Sequence, residues 1–300
     1  MNNDIRYRLT FTAQNDSQLL REALMEYGIS KRALTAIKFQ GGALLVNEVE
    51  RNVRHSLTMG DKITVIFPLE EISAGLLPEK GELNIRYEDE ALLIVEKSPY
   101  QSTIPSHDHP TGSIANIVAA HLQAQQIAST VHVVTRLDRN TSGLMCIAKH
   151  RHIHHLMSEA QKKHSISRTY EAFVHGYVSD DFQQIIAPIG RKDGSIIERE
   201  VRQDGQFAHT DVQVMKRFTI QGEKISHIRL ILHTGRTHQI RVHMSSIGHP
   251  LLGDNLYGGT RGLIDRHALH CVSLVLHHPL THEKMEWHSE LPEDMRNIME

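Results

Sequence analysis

Three observations predict an α+β fold. Runs that alternate apolar and polar residues, such as His227-Ile228-Arg229-Leu230-Ile231-Leu232, read as strands. Apolar residues three and four apart, such as Ile153, Leu156, Met157 and Ala160, read as amphipathic helices. The two kinds of run do not alternate as regular βαβ units, which argues against a doubly wound parallel sheet. With 300 residues, the chain can hold one large core domain and a small second one.

Residues 1–68 are expected to form the small module. After Asp16 and Ser17, the residues Leu19, Leu20, Ala23, Leu24 and Tyr27 fall on one helical face, and Gly28 closes the helix. Ser30 is placed to cap a second helix, with Leu34 and Ile37 inward and Lys31, Arg32 and Lys38 exposed. Gly41-Gly42 turns the chain into a strand at 43–47, and a Gly60-Asp61 turn leads into another at 63–66. Glu70, Glu71, Gly75, Pro78 and Gly81 mark 69–82 as a linker.

Residues 83–300 are expected to form the larger domain. A strand is predicted at 92–95, then a helix capped by Ser113 that carries Ile114, Ile117, Val118 and Leu122. A buried strand at 144–148 follows, then the helix bearing Ile153 and Met157. The alternating segment 167–174 contains Tyr170 and ends at His175-Gly176.

Two segments carry the chemistry. The run VTRLDRNTSGLM (134–145) sets Asp138 between Arg136 and Arg139. Arginine grips phosphate and stacks on bases, and a carboxylate among guanidiniums stays ionised, suited to act as nucleophile or base. Taken alone, the cluster also reads as a surface salt bridge at a turn. If the run is extended, Arg136 and Asp138 share a face. The second segment, HTGRTHQIRVHMSSIGHPLLGDNLYGG (233–259), follows the strand that buries Ile228, Leu230 and Leu232. There Gly235 permits a turn and Thr237 is a candidate N-cap. Ile240, Met244 and Ile247 would face the core, leaving Thr237, His238, Arg241 and Ser245 on a neighbouring polar face.

These two segments, with the tyrosine strand between them, resemble the RluA-type family of pseudouridine synthases. The RLDxxTSGL block, the strand with one tyrosine and the TGRTHQIRxH…GD..YG block occur in order. YEDEALLIVEKSPY (87–100), with Pro105, Gly112 and Asn116 after it, resembles the opening block, so the likeness covers roughly residues 83–300. The resemblance implies a mixed, mainly antiparallel sheet split by the active-site cleft, with helices at its periphery. It also implies isomerisation of uridine to pseudouridine within RNA, with no cofactor and no metal. In that reaction the bond from ribose to the base nitrogen breaks, the uracil turns, and it rejoins through carbon.

In this reading Asp138 meets the sugar as nucleophile or base, and Arg241 keeps it charged in a dry pocket. Tyr170 lies against the uracil; a phenol with a pKa of about 10 is a poor base at neutral pH, so stacking is its assigned role. Arg136 resembles the residue that fills the gap left by the extruded base, an extrusion that costs a few kcal/mol. Arg139, Arg236 and His238 are further candidate RNA contacts. Two departures stand out: Thr135 replaces the usual histidine before RLD, and the SRTY sequence puts Arg168 and Thr169 where a lysine is frequent two residues before the tyrosine. Residues 1–68 resemble the αL RNA-binding module, with Glu48 in place of the usual glycine after Val46-Asn47. Lys31, Arg32 and Lys38 would contact phosphates there, or form a merely solvated face. The fused module favours large-subunit ribosomal RNA as target. The alternatives are transfer RNA and a catalytically silent RNA-binding protein.

Composition adds limits. The chain has 33 basic and 35 acidic residues, a formal net charge of −2, so RNA binding must rest on local patches. Protonating all 23 histidines would carry the charge from −2 to +21, so RNA affinity is expected to rise as pH falls through about 6.5. Cys146 and Cys271 make neither a disulfide framework nor a metal site, and read as small core residues. With no signal core or membrane-length apolar run, a cytoplasmic monomer is expected. His150 and His154 have the i,i+4 spacing of a zinc pair but lack the intervening glutamate, so solvated helix histidines are expected instead.

Overall fold

The computed structural model describes residues 5–106 and 109–299; the first four residues of the amino-terminal run expected to lack a signal core lie outside that range. The amino-terminal strands are β1 (Arg8–Thr12), β2 (Ala43–Val46), β3 (Val49–Glu50) and β4 (Lys62–Ile66). They pair antiparallel in the order β1-β4-β2-β3. Two helices, α1 (Leu20–Glu26) and α2 (Lys31–Phe39), supply Leu20, Leu24 and Ile37 to a core shared with Leu44, Ile63 and Val65. Ser30 caps α2, its hydroxyl accepting the Ala33 N–H at 3.1 Å. Asn47 and Glu48 join β2 to β3 with φ of 51° and 66°. A two-residue hairpin loop of that kind favours glycine second, so Glu48 holds a conformation that glycine adopts freely.

Residues 67–83 contain neither strand nor helix. The larger unit begins with β5 (Asn84–Glu88) and β6 (Leu92–Lys97), followed by α3 (Ile114–Ala124), β7 (His132–Val133) and β8 (Ser142–Ala148). Then come α4 (Arg151–Lys162), β9 (Ser167–His175), β10 (Phe182–Ile186), β11 (Ile189–Arg191) and β12 (Arg199–Val201). The chain finishes with β13 (His209–Ile220), β14 (Glu223–Leu232), α5 (Gln239–Ser246), β15 (Leu269–His277), β16 (Lys284–His288) and α6 (Glu293–Arg296).

Eight of these strands run in the order β10-β13-β14-β9-β15-β8-β6-β5, with β16 paired to β15 and β7 to β8; β11 and β12 pair with each other. The pairings are antiparallel except between β8 and β15, which meet in parallel only at Ser142–His270 and Gly143–Cys271. The fold is thus α+β with a mixed, mainly antiparallel sheet. Gly143 has φ 110°, and a Cβ there would drive into the Cys271 backbone. Cys146 and Cys271 are free and buried, as core residues should be. No helix among the described residues is long and apolar enough to cross a membrane.

The histidine run departs from expectation. His150 is 9% exposed and His152 4%, so they are not solvated. His150 stacks on Tyr7 with centroids 3.8 Å apart, and His152 on Phe67 at 5.1 Å. His132 bonds to Glu70 at 2.6 Å, and Glu70 also accepts the Arg151 N–H at 2.8 Å. The helical period placed these histidines on α4, but could not reveal that the amino-terminal unit covers that face.

Candidate active site

Two loops converge at the site, 134–141 ahead of β8 and 233–238 between β14 and α5. The first loop alternates: Thr135 is buried, Arg136 exposed, Leu137 buried, and Asp138 partly open. Its backbone is anchored from below. Thr103 Oγ1 donates to the Leu137 carbonyl at 2.6 Å, and the Lys97 ammonium to the carbonyls of Ser98, Gln101 and Arg139 at 2.8, 2.8 and 3.0 Å. Burial pushes the Lys97 pKa down to about 7, while the charge of Asp138 pulls it upward. Thr135, in place of the usual histidine, accepts the Cys146 N–H at 2.8 Å and so fastens the loop to β8.

Asp138 faces Arg241 across the junction. Arg241 Nη1 donates to Asp138 Oδ2 at 3.1 Å. The same guanidinium grips Asp254 at both ends, Nε to Oδ2 at 2.7 Å and Nη2 to Oδ1 at 2.8 Å. The Asp254 side chain is 1% exposed, Arg241 8% and Asp138 28%, so the Asp138 carboxylate keeps an open side. Burial would raise the Asp138 pKa; the charges of His238, Arg241 and His267, with the Arg241 hydrogen bond, outweigh it and hold the carboxyl below its ordinary range. Burial lowers His238 and takes His267 down to about 3. Arg241, held above its ordinary value by Asp254 and Asp138 against its own burial, is therefore the standing cation at neutral pH.

A cleft of about 980 Å³ opens beside the pair, lined by Arg136, Asp138, Arg139, Arg168, His233 and Arg236 among others. It adjoins a recess of about 60 Å³ lined by Asp138, Tyr170, Arg241, Arg168, His238 and Leu269. Tyr170 lies on β9 opposite Leu230 of β14 and Cys271 of β15, and is 3% exposed. Burial first, then Cys271, pushes its phenol well above the usual value, so it stays protonated. Arg168, two residues earlier on the same face of β9, is 8% exposed; its Nε is buried without a hydrogen-bond partner. A Cβ at Gly235 would lie 2.9 Å from its guanidinium, so glycine there gives Arg168 room beside the cleft.

The structure brings together Asp138, Tyr170, Arg241, Arg136, Arg236 and His238 around the recess. Arg139 lines the outer cleft and donates from Nε to the Tyr100 carbonyl at 3.1 Å. Arg236 donates to the Phe207 carbonyl at 2.9 Å. His238 bonds through Nδ1 to the Tyr257 hydroxyl at 2.7 Å, its Nε2 lying 3.7 Å from Asp138. Lys31, Arg32 and Lys38 are not among the residues lining the cleft or the recess. They are exposed on α2, and Arg32 lines a separate cavity of about 650 Å³ between α2 and α4.

Thr237 is not the helix cap. The N-cap is His238, in the left-handed region at φ 58°, and the orphan Arg236 N–H is taken by the Gln239 side chain at 3.0 Å. Sequence reasoning also passed over Asp254, Arg168 and Lys97 as site residues. The GD pair of the second block was a visible signal for Asp254, and the position two residues before Tyr170 for Arg168. Lys97 gives none, because its partners are main-chain carbonyls.

Residues 92–246 match the family described as RNA pseudouridylate synthase. A Bacillus subtilis protein named uncharacterized RNA pseudouridine synthase YjbO is 50% identical over 93% of this chain and 98% of the relative. The ribosomal large subunit pseudouridine synthase D of Pseudomonas aeruginosa is 37% identical over 75% of this chain and 73% of its own. Among solved structures, the human RNA pseudouridylate synthase domain containing 1 shares the fold, with a TM-score of 0.58, 24% identity, and coverage of 71% of this chain and 86% of its own. The ordered motifs, the sheet and these likenesses agree: the chain belongs to the RNA pseudouridylate synthase family, of the RluA type.

Proposed function

We propose that the protein isomerises uridines in structured RNA, most suitably in large-subunit ribosomal RNA, with Asp138 as the group that meets the ribose. The observation that carries this reading is the 3.1 Å Asp138–Arg241 contact at a carboxylate that keeps one side open to a cleft. As nucleophile, Asp138 would take the sugar carbon as the bond to the base nitrogen breaks; as base, it would remove a sugar proton to the same end. The uracil then turns and its carbon bonds to the sugar, which breaks the bond to Asp138 on the first route or takes the proton back from Asp138 on the second; the proton left on the uracil carbon moves to the freed nitrogen. No redox step arises. Tyr170, held protonated, packs against the ring, while Arg136, exposed at the mouth, stacks where the base left its strand. Arg168 is an added candidate: a buried guanidinium with an unfilled donor suits a nucleotide phosphate or carbonyl.

The domain reading goes with this: 1–68 as an αL RNA-binding module, 69–82 as linker, 83–300 as catalytic domain. Ser158 of α4 lines both the catalytic cleft and the cavity that holds Arg32, so one strand of RNA could touch both units. Arg139, Arg236 and His238, with Lys31 and Lys38 on α2, complete the proposed RNA contacts, and binding through the lysines and arginines should weaken with salt. The ribosomal relatives favour ribosomal over transfer RNA. A cytoplasmic monomer fits the two free, buried cysteines.

The test is pseudouridine mapping, by chemical adduct and primer extension, in cells with and without the gene. One or more adduct stops should vanish on deletion and return with the wild-type protein. Asp138→Asn should keep the fold and RNA binding yet restore none of them; retained turnover refutes the assignment.

A further inference from the structure

Beside the cleft, which His233 helps to line, three side chains converge that the proposed reaction does not use. His209 and Asp211 alternate on β13 and so share a face, and His233 follows the end of β14, its N–H bonded to the His209 carbonyl at 3.2 Å. The two imidazoles stack with centroids 4.1 Å apart. Each presents Nε2 to a different oxygen of one carboxylate: His209 at 3.0 Å from Asp211 Oδ1, His233 at 2.8 Å from Oδ2. The three ligand atoms all lie within 4.8 Å of one another. His209 Nε2 is buried and, despite its closeness to the carboxylate, has no acceptably aligned hydrogen-bond partner.

We propose that His209, Asp211 and His233 bind a borderline divalent cation such as Zn²⁺. Two imidazole nitrogens and one carboxylate oxygen are the donor set that zinc takes when water completes its tetrahedron. A cation satisfies all three groups together, whereas hydrogen bonding leaves the His209 nitrogen unfilled. Outer contacts already orient the donors. Gln184 on β10 donates to Asp211 Oδ1 at 3.0 Å, and the His209 N–H bonds to Thr234 Oγ1 at 3.0 Å. Gln239, the first residue of α5, donates to the His209 carbonyl at 3.0 Å and accepts from Thr234 at 2.7 Å. The ion would therefore tie β13 to the loop carrying Arg236 and to the helix presenting Arg241. Its role is to fix that loop, outside the isomerisation itself.

Zinc titration of the metal-stripped full chain, followed by calorimetry, tests this, with Co²⁺ absorption reporting the geometry. The expected result is one saturable equivalent and visible bands of a tetrahedral cobalt site. His233→Ala should weaken binding at least about tenfold, since loss of even a supporting contact costs that much. The His233 side chain is 40% exposed, so this variant should fold; Asp211→Asn, which keeps shape and the Gln184 contact, should weaken binding alike. Asp138→Asn should bind as wild type. Absence of saturable binding, or equal binding by His233→Ala because other histidines take the metal, overturns the proposal.

Discussion

Arg241 serves two carboxylates unequally. Asp254, buried to 1%, holds the guanidinium at two points, and Asp138 holds it at one. Arg241→Met would leave the Asp254 carboxylate buried and unpaired, so urea unfolding should show a loss of about 3–5 kcal/mol. A loss below about 1 kcal/mol would mean that water or His238 takes over the pairing. Asp138 and Arg241 were legible because fixed motifs carry them. Asp254 was not singled out because motif spacing does not say which acid an arginine will grip. Lys97 was illegible because it closes an apolar strand and bonds only to main chain.

Among the elements, the meeting of β8 and β15 depends on one residue. Gly143 combines a left-handed φ with contact against the Cys271 backbone, and the two strands share only two residue pairs. Gly143→Ala should therefore cost about 3 kcal/mol, through φ strain and forced separation, and should lower turnover by displacing the adjoining Asp138 loop. Thermal unfolding and single-turnover assays check both effects. Most elements were readable from period and caps: β14 buries Ile228 and Leu230, and Ser30 and Ser113 cap α2 and α3. The start of α5 was not, because the Gln239 side chain and a left-handed His238 replace the hydroxyl cap that Thr237 suggested. Such a substitution depends on where His209, Thr234 and Tyr257 lie, which local sequence does not contain.

Over the whole molecule, histidine couples shape to acidity. Burial takes His150 and His152 down to about 4 from the ordinary 6.5, so both must be neutral where they stack on the amino-terminal unit. Freed from that contact they would take protons first. Docking is thus at full strength above pH 6.5 and weakens as pH falls toward 4, where the loss levels off. At pH 5 the loss is about 2–4 kcal/mol for the pair. Glu70 acts the same way: burial would raise it, but His132 and Arg151 hold it below its usual range, and that contribution disappears in stronger acid. Small-angle scattering should give a larger radius of gyration at pH 5 than at pH 7.5; an unchanged radius would contradict this. The same burial tempers the charge argument from composition. Eight described histidines are shifted downward by burial, so the rise in RNA affinity between pH 8 and 6 should be shallower than the histidine count alone suggests.

The two-point grip of Asp254 has a chemical corollary. In the proposed reaction, the oxygen at position 138 would be spent in a bond to carbon, or take up a proton, and its negative charge would vanish from the pocket floor. The guanidinium still has a full counterion, so no lone cation is marooned in the dark at mid-turnover. On the proposed mechanism, scaffold and reagent are divided between two aspartates, and the expendable one would be consumed and regenerated while the other keeps the walls standing.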